Sequence, residues 1–411
     1  MTGFGRTSPQ AVTMKIKIGA VLLAATAFVA GCSGFWTLPP STSTTTTTPT
    51  TLSSGIFYVL NQTTGQIVAY KIVTGSLTTI GTYPITGPTA IAIDPNLDFL
   101  YVSTLTGIFV YNIDSGGALT LGNNSQAISY DIASALQVAT STNNSWLIDA
   151  FTNTGQVQMN AIPLNSSGTY TSPANVPKAY ITVTSPSVKQ MVLSPKGDYL
   201  FLAMGSGGAV AVPFNSGSSS PFGSTATTIT AASSQQAALS VAVDPTERMF
   251  YVSETNAAGS SDTSGALLAF SYSSLTSGGA LTQISGSPIA SGGGSPSAIL
   301  PEASGDYVYV ANGQGETGAG NITWFSITAS GTTYSIASPS SNSIAAGVFP
   351  FGLAEDSDDY FVLAVSTGGT TSSGDPDLEA FTMSSGALTA AIASKTGTDP
   401  VGAWAIAALP Q

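Results

Sequence analysis

Apolar residues in this chain come in short runs with a period of two, and Gly, Pro, Asn, Asp or Ser closes each run within about ten residues. Such alternation predicts β-strands, because a strand turns successive side chains to opposite faces. Seven times the runs assemble into one phrase: a small-residue run, a turn, an aromatic-apolar run, a Gly-rich loop and a second alternating run. The centres of the phrase are Tyr58, Tyr101, Leu147, Phe201, Tyr251, Tyr309 and Val362, spaced about 43 to 58 residues apart. That period suits a four-stranded sheet repeated around an axis. The prediction is an all-β, seven-bladed β-propeller of four-stranded antiparallel blades.

The second copy shows the grammar most fully. Residues 88–95 form a small-residue strand ending in an Asp-Pro turn; residues 99–103, 108–113 and 118–121 supply the other three strands. Equivalent first strands begin near Ala133, Val188, Leu239, Ser297 and Phe351. Outer strands are announced by Gly-Ser-Leu-Thr at Gly75 and by Gly-Ala-Leu-Thr at Gly117, Gly279 and Gly386. The first copy lacks an inner strand, whereas residues 399–406 at the other end match that strand and are followed by almost nothing. Pairing them beside residues 56–60 completes blade one from both ends of the chain and removes the open sheet edges. The third copy, around residues 130–146, is irregular, so an eight-bladed or split ring is the alternative.

The first residues read as an address. After Met14, which suits a start better than Met1, Lys15 and Lys17 precede an apolar stretch at 18–28, too short to span a bilayer but right for a signal peptide. It ends Val29-Ala30-Gly31-Cys32, which resembles the lipobox of bacterial lipoproteins. The resemblance implies cleavage before Cys32 and lipid on its sulfur. Expected domains are therefore a signal peptide at 1–31, a lipidated Cys and Thr/Ser/Pro tether at 32–54, and a propeller at 55–411. As the only cysteine, Cys32 leaves no intrachain disulfide to close the domain.

The phrases Tyr101-Val102-Ser103, Tyr251-Val252-Ser253 and Tyr309-Val310-Ala311-Asn312, the turns at 194–198 and 304–306 and the Gly-Ala-Leu-Thr endings resemble the lactonase-type seven-bladed propellers. These include the propeller form of 6-phosphogluconolactonase and the Tyr-Val-Thr-Asn repeat proteins. The resemblance covers residues 55 to 410 and implies the fold; its motifs are strand and turn residues. Family enzymes acting on acidic or phosphorylated lactones are rich in Arg and His near the channel. Many members follow the Tyr-Val-x-Asn phrase with Arg-Gly, but here Asn312 precedes Gly313-Gln314.

Composition sharpens this departure. The chain is 43% hydrophobic and 7% charged, enough apolar residue for a large core. From Cys32 onward six basic side chains face all 21 acids, a balance that disfavours nucleic acid. There is no histidine, which excludes a Ser-His-Asp triad or a His-ligated zinc within this chain. The one Arg after the leader, Arg248, falls in a predicted turn, so a phosphate clamp has no bidentate fork. Few groups titrate near neutrality, and tolerance of acid is expected.

Candidate chemistry lies where the copies differ in length. Loops from second to third strand are short in blades one to four but long in blades five to seven, at 254–265, 312–320 and 366–377. Three adjacent long loops would wall one side of the channel mouth. Their polar residues Asn256, Asn312, Gln314, Asp375 and Asp377 are the ligand-binding candidates. Glu254, Glu316 and Lys189 are the weak catalytic candidates, Lys189 because its inner strand would aim it into the channel. The acidic turn at 355–359 and the blade aromatics are expected to be structural. No cofactor is required, although such oxygen-rich loops would suit calcium.

The expectation is a lipid-anchored, extracytoplasmic monomer that binds a small neutral ligand, a carbohydrate or another envelope protein, meeting the membrane only through Cys32. The alternatives are a hydrolase of an unphosphorylated lactone and a structural envelope protein.

Overall fold

A computed structural model of the protein describes residues 55–73, 75–170, 176–256, 264–313, 319–338, 342–356, 360–367, 377–393 and 402–408. All lie in the second of two compact units, Thr46–Gln411. They form seven antiparallel sheets. Blade 1 holds β1 (Ile56–Asn61), β2 (Gln66–Val73) and β3 (Ser76–Pro84); blade 2 holds β4 (Pro88–Ile93), β5 (Phe99–Thr104), β6 (Gly107–Ile113) and β7 (Leu119–Leu121). Blade 3 is built from β8 (Ala135–Thr140), β9 (Ser145–Asn153), β10 (Gln156–Leu164) and β11 (Lys178–Ile181). In blade 4 these are β12 (Gln190–Leu193), β13 (Tyr199–Ala203), β14 (Ala209–Pro213) and β15 (Thr227–Thr230). Blade 5 comprises β16 (Ala238–Val243), β17 (Met249–Glu254), β18 (Ala266–Ser271) and β19 (Ile289–Ala290). Blade 6 comprises β20 (Pro296–Pro301), β21 (Tyr307–Asn312), β22 (Ala319–Ser330) and β23 (Thr333–Ala337), with β24 (Ser343–Val348) also on β22. Blade 7 has β25 (Pro350–Glu355), β26 (Phe361–Ser366), β27 (Leu378–Ser384) and β28 (Ala387–Ala393), and β29 (Ala403–Ala408) returns to blade 1.

Second strands are apolar on both faces because each sheet packs between two others. In β17 and β26 every residue is buried. The recurrent Tyr explains itself through its polar tip. Tyr58 Oη donates to the Gly117 carbonyl (3.0 Å) and Tyr101 Oη to that of Gly168 (3.1 Å), each in the third-to-fourth-strand turn of the next blade. One residue type thus fills the core and ties neighbouring blades.

The ring closes as the chain ends predict. β29 lies antiparallel to β1, with Tyr58 opposite Ala407 and Val59 opposite Ile406. Gly402 turns the chain into β29 at φ +77°, where a Cβ would lie 2.0 Å from Thr63 Oγ1. Its N–H donates to Asp377 Oδ2 (2.8 Å), and Trp404 stacks on Phe351 of blade 7 at 4.6 Å.

One local expectation is corrected and one alternative is removed. The Gly279 phrase does not begin an outer strand. A short helix, α1 (Tyr272–Thr276), precedes it, and the outer edge of blade 5 is carried by Gln283, bridged to Phe270, and by β19. The cause is burial: Tyr272 and Leu275 leave the strand period to pack on Tyr199 and Phe201 of blade 4. The irregular third copy is also not a split or an extra blade. β7 stops after three residues, and Asn123, Asn124 and Ser125 take positive φ. Ser129 then bridges Ile108 of β6 before the chain crosses to blade 3.

Candidate functional site

The inner strands share an irregularity that the alternating pattern hides. In β4, β16, β20, β25 and β29 one extra residue sits opposite a single partner near the strand start: Thr89, Leu239, Ser297, Phe351 and Trp404 respectively. Lys189 holds the same place just before β12, its N–H bonded to the Ala203 carbonyl while Ala203 pairs with Gln190. A bulge bends its strand and re-aims a side chain. Here the repeated bulge lines the rim with residues that reach into the next blade. Thr89 Oγ1 donates to the Ala133 carbonyl (2.7 Å), Ser297 Oγ donates to that of Pro350, and Phe351 meets Trp404.

The residue before the inner strand has a repeated conformation. Gly87, Ser295, Phe349 and Gly402 all have positive φ, and their carbonyls accept the N–H groups of Leu105, Gly313, Thr367 and Gln62 at the start of the second-to-third-strand loops. Three of the four are Gly or Ser. Phe349, at φ +54°, is the costly choice, since a left-handed conformation costs an ordinary side chain roughly 1–2 kcal/mol. Its ring stacks on Phe351 (6.2 Å), which stacks on Trp404. A partly exposed aromatic row therefore runs along the rim from blade 7 to blade 1. Blade 4, carrying the exposed Lys189, is three places away in either direction around the ring.

Of the residues singled out from the sequence, Cys32, Gln314, Glu316 and Asp375 lie outside the described residues. Asn312 ends β21 and is fully buried. Its Nδ2 donates to Asn321 Oδ1 (3.0 Å), Thr323 Oγ1 (3.1 Å) and the Ser291 carbonyl (3.0 Å), so the side chain fastens the loop entering blade 6. Asn61 and Thr104 hold the equivalent place and cap their own turns by accepting from Thr64 N and Thr106 N. Asp377 is buried on the Gly402 N–H, and Asn256 Nδ2 donates to the Gln235 carbonyl (2.7 Å). These three polar groups hold loops in place; they do not converge on one point.

Glu254 occupies the same strand-end position as Asn312 but carries a carboxyl. Burial pushes its pKa up to about 7, against a lowering hydrogen bond from Thr230. Among the described residues no group of three His, Cys, Asp or Glu gathers as metal ligands would. On the other face, Arg248 and Lys196 are engaged in structure. Arg248 pairs with buried Asp244 (2.6 Å), donates to the Gly305 carbonyl of blade 6 and lies over Tyr334 at 5.6 Å. Lys196 pairs with Glu247 of blade 5 at 2.6 Å. Within the acidic turn Glu355 and Asp356 are structural, Glu355 accepting from Ala303 N and Asp356 from the N–H groups of Tyr360 and Phe361, while residues 357–359 lie outside the described residues.

Sequence reasoning missed the aromatic row. Phe351 and Trp404 read as strand residues until the bulge is known. Phe349 left one signal, a Phe before Pro350 where the second copy has Gly87 before Pro88.

With this geometry in hand, the class of protein is clear: the chain has the fold of the lactonase-type seven-bladed propellers. It is similar to a proposed 6-phosphogluconolactonase of Bacteroides uniformis (16% identity, 87% of this chain and 99% of that one, TM-score 0.61). A counterpart from Bacteroides fragilis gives 15% identity over 89% and 99% with TM-score 0.63. The periplasmic gluconolactonase of Pseudomonas aeruginosa gives 15% over 87% and 100% with TM-score 0.62. No family model and no curated protein matches the chain.

Proposed function

We propose that the protein is a lipid-anchored, extracytoplasmic binding module, held to the cell envelope through Cys32 and the tether at 32–54, whose channel mouth takes a small neutral ring, a sugar or an unphosphorylated lactone. The row Phe349–Phe351–Trp404 carries this reading. The fold needs only Gly or Ser at position 349, so the strain spent on a Phe there supports a use for its ring. The stacked faces suit the C–H side of a sugar. Titrating the purified protein with glucono-δ-lactone, glucose and calcium while following melting temperature and Trp fluorescence tests it. A response to a sugar or lactone that Phe351→Ala removes supports the reading; silence toward all three refutes it. Processing blocked by globomycin and membrane release of Cys32→Ala are expected for the anchor.

Glu254 favours a second reading, hydrolysis of an unphosphorylated lactone, in line with the lactonases that share the fold. A carboxylate held near pH 7 is matched to general-base work on water. Turnover of glucono-δ-lactone above the uncatalysed rate, with a rising limb near pH 7 that Glu254→Gln abolishes, is its signature.

A further inference from the structure

The interface of blades 2 and 3 contains a second polar site, independent of the channel mouth. Asp149 of β9 is fully buried, at a place where the other blades carry Val59, Val102, Leu202, Val252, Val310 and Ala364. Its Oδ1 accepts from Asn160 Nδ2 (2.8 Å), while Oδ2 has no hydrogen-bond partner. Asn160, also buried, donates again to Asp131 Oδ2 (3.1 Å) and accepts from Gln158 Nε2 (2.9 Å). Ser129 Oγ donates to the same Asp131 oxygen (2.9 Å), which fixes that carboxylate and leaves Oδ1 without a bond from any described residue.

Asp149 and Gln158 hold Asn160 from behind, and Ser129, Asp131 and Asn160 border a cleft of about 340 Å³ between the crossing segment and blade 3. Its lining includes Ser129, Asp131, Asn160, Lys178 and Tyr170, whose buried hydroxyl has no partner, beside apolar walls such as Ile162. At the edge Tyr130 is 80% exposed. The fold gains nothing from this arrangement: an apolar residue at 149 would pack as in the other copies, and a buried carboxyl is expensive. A buried hydroxyl without a partner, in a preorganised cleft that also holds a fixed carboxylate, calls for a ligand that partners it.

We infer that this cleft is a binding site for an uncharged saccharide of one or two rings. Lys178 offsets Asp131, so no net charge is requested. The cleft offers acceptors at Asp131 Oδ1 and Ser129, and donors at Lys178 and Tyr170, the mixture that a polyol answers. The Tyr130 face and the apolar wall meet the C–H faces of a sugar ring. The volume is at the small end of the roughly 300–1,000 Å³ range of ligand sites.

The test is saturation-transfer NMR on the whole protein with methyl glycosides of glucose, galactose, mannose and N-acetylglucosamine, and with cellobiose, maltose and chitobiose. At least one probe should bind, and Tyr130→Ala and Asp131→Asn should each weaken it tenfold or more. Tyr130→Ala should leave the melting temperature unchanged because the ring is exposed. Phe351→Ala should leave this binding intact. No saturation transfer from any probe at millimolar concentration overturns the inference, as does binding that both cleft variants leave unchanged. Binding lost in Phe351→Ala but kept in Tyr130→Ala overturns it too, while supporting the mouth as the site.

Discussion

Two junctions of the ring, separated by one other, solve the same packing problem in opposite ways. Between blades 4 and 5, Phe250 stacks on Phe270 at 5.2 Å and meets a tilted Phe201 at 5.1 Å, and Tyr272 closes the row from its helix. Between blades 2 and 3, Leu147 and Ile162 take the places of Phe250 and Phe270. Beside them Asp149, Asn160 and Gln158 form a hydrogen-bonded ladder where blade 5 has Val252, Leu268 and Ala266. The first junction converts apolar area into stability. In the second, stability is given up to keep polar groups inside, which is the mark of a place selected for something other than folding.

The largest expected effect breaks the first junction. Phe250→Ala removes a fully buried ring that touches Phe201 and Phe270 and should cost about 3–5 kcal/mol. Denaturant unfolding measures this; a loss below about 1 kcal/mol would mean that the two junctions do not differ in the way their contacts imply.

The next effect is smaller and opposite in sign. Burial, with help from the charge of Asp131, lifts the Asp149 carboxyl to about 8, and burial lifts Glu254 to about 7, while both are ordinary carboxyls in the unfolded chain. Between about pH 4 and pH 8 the folded protein therefore holds protons that the unfolded chain has released. Stability is fully present below the unfolded values and is lost as pH rises through the folded ones. Melting temperature should rise on acidification from pH 8 to pH 5, which sharpens acid tolerance into acid stabilisation. Asp149→Asn keeps the acceptor for Asn160 and should raise stability at pH 8 by on the order of 1–3 kcal/mol, with little change at pH 5. A flat pH profile in the parent protein, or an unaltered one in the variant, contradicts the assignment.

How much of this was legible beforehand follows from what repeats. The seven Tyr-Val-type strands, the donation of a C-terminal strand read at 399–406 and found at 403–408, and the structural role of Asp356 were readable because period, turn chemistry and the missing first strand are local patterns. The candidate sites were not. Asn312 and Asp377 read as loop polars, yet each is buried and holds a neighbouring segment, a role set by the blade beside it. Asp149 drew no attention because one carboxyl in an apolar run has no periodic signal; only register shows that it replaces Val102 and Val252. The rim aromatics depended on a bulge, which shifts which side chain faces the channel without changing its composition.

The smallest effect is also the one that separates fold from use at the mouth. Phe349→Gly relieves the left-handed strain of a Phe but gives up the stack on Phe351 and returns chain entropy to the unfolded state, worth roughly 0.5–1 kcal/mol. The two nearly cancel, so stability should move by less than about 1 kcal/mol in either direction. If Phe349 were there to hold the fold, the loss should instead resemble that of a core Phe, about 3 kcal/mol or more. A variant with near-parental unfolding and weakened binding of a ring-shaped ligand at the mouth places Phe349 with the ligand. One that unfolds like Phe250→Ala places it with the core and removes the main support for a site at the rim.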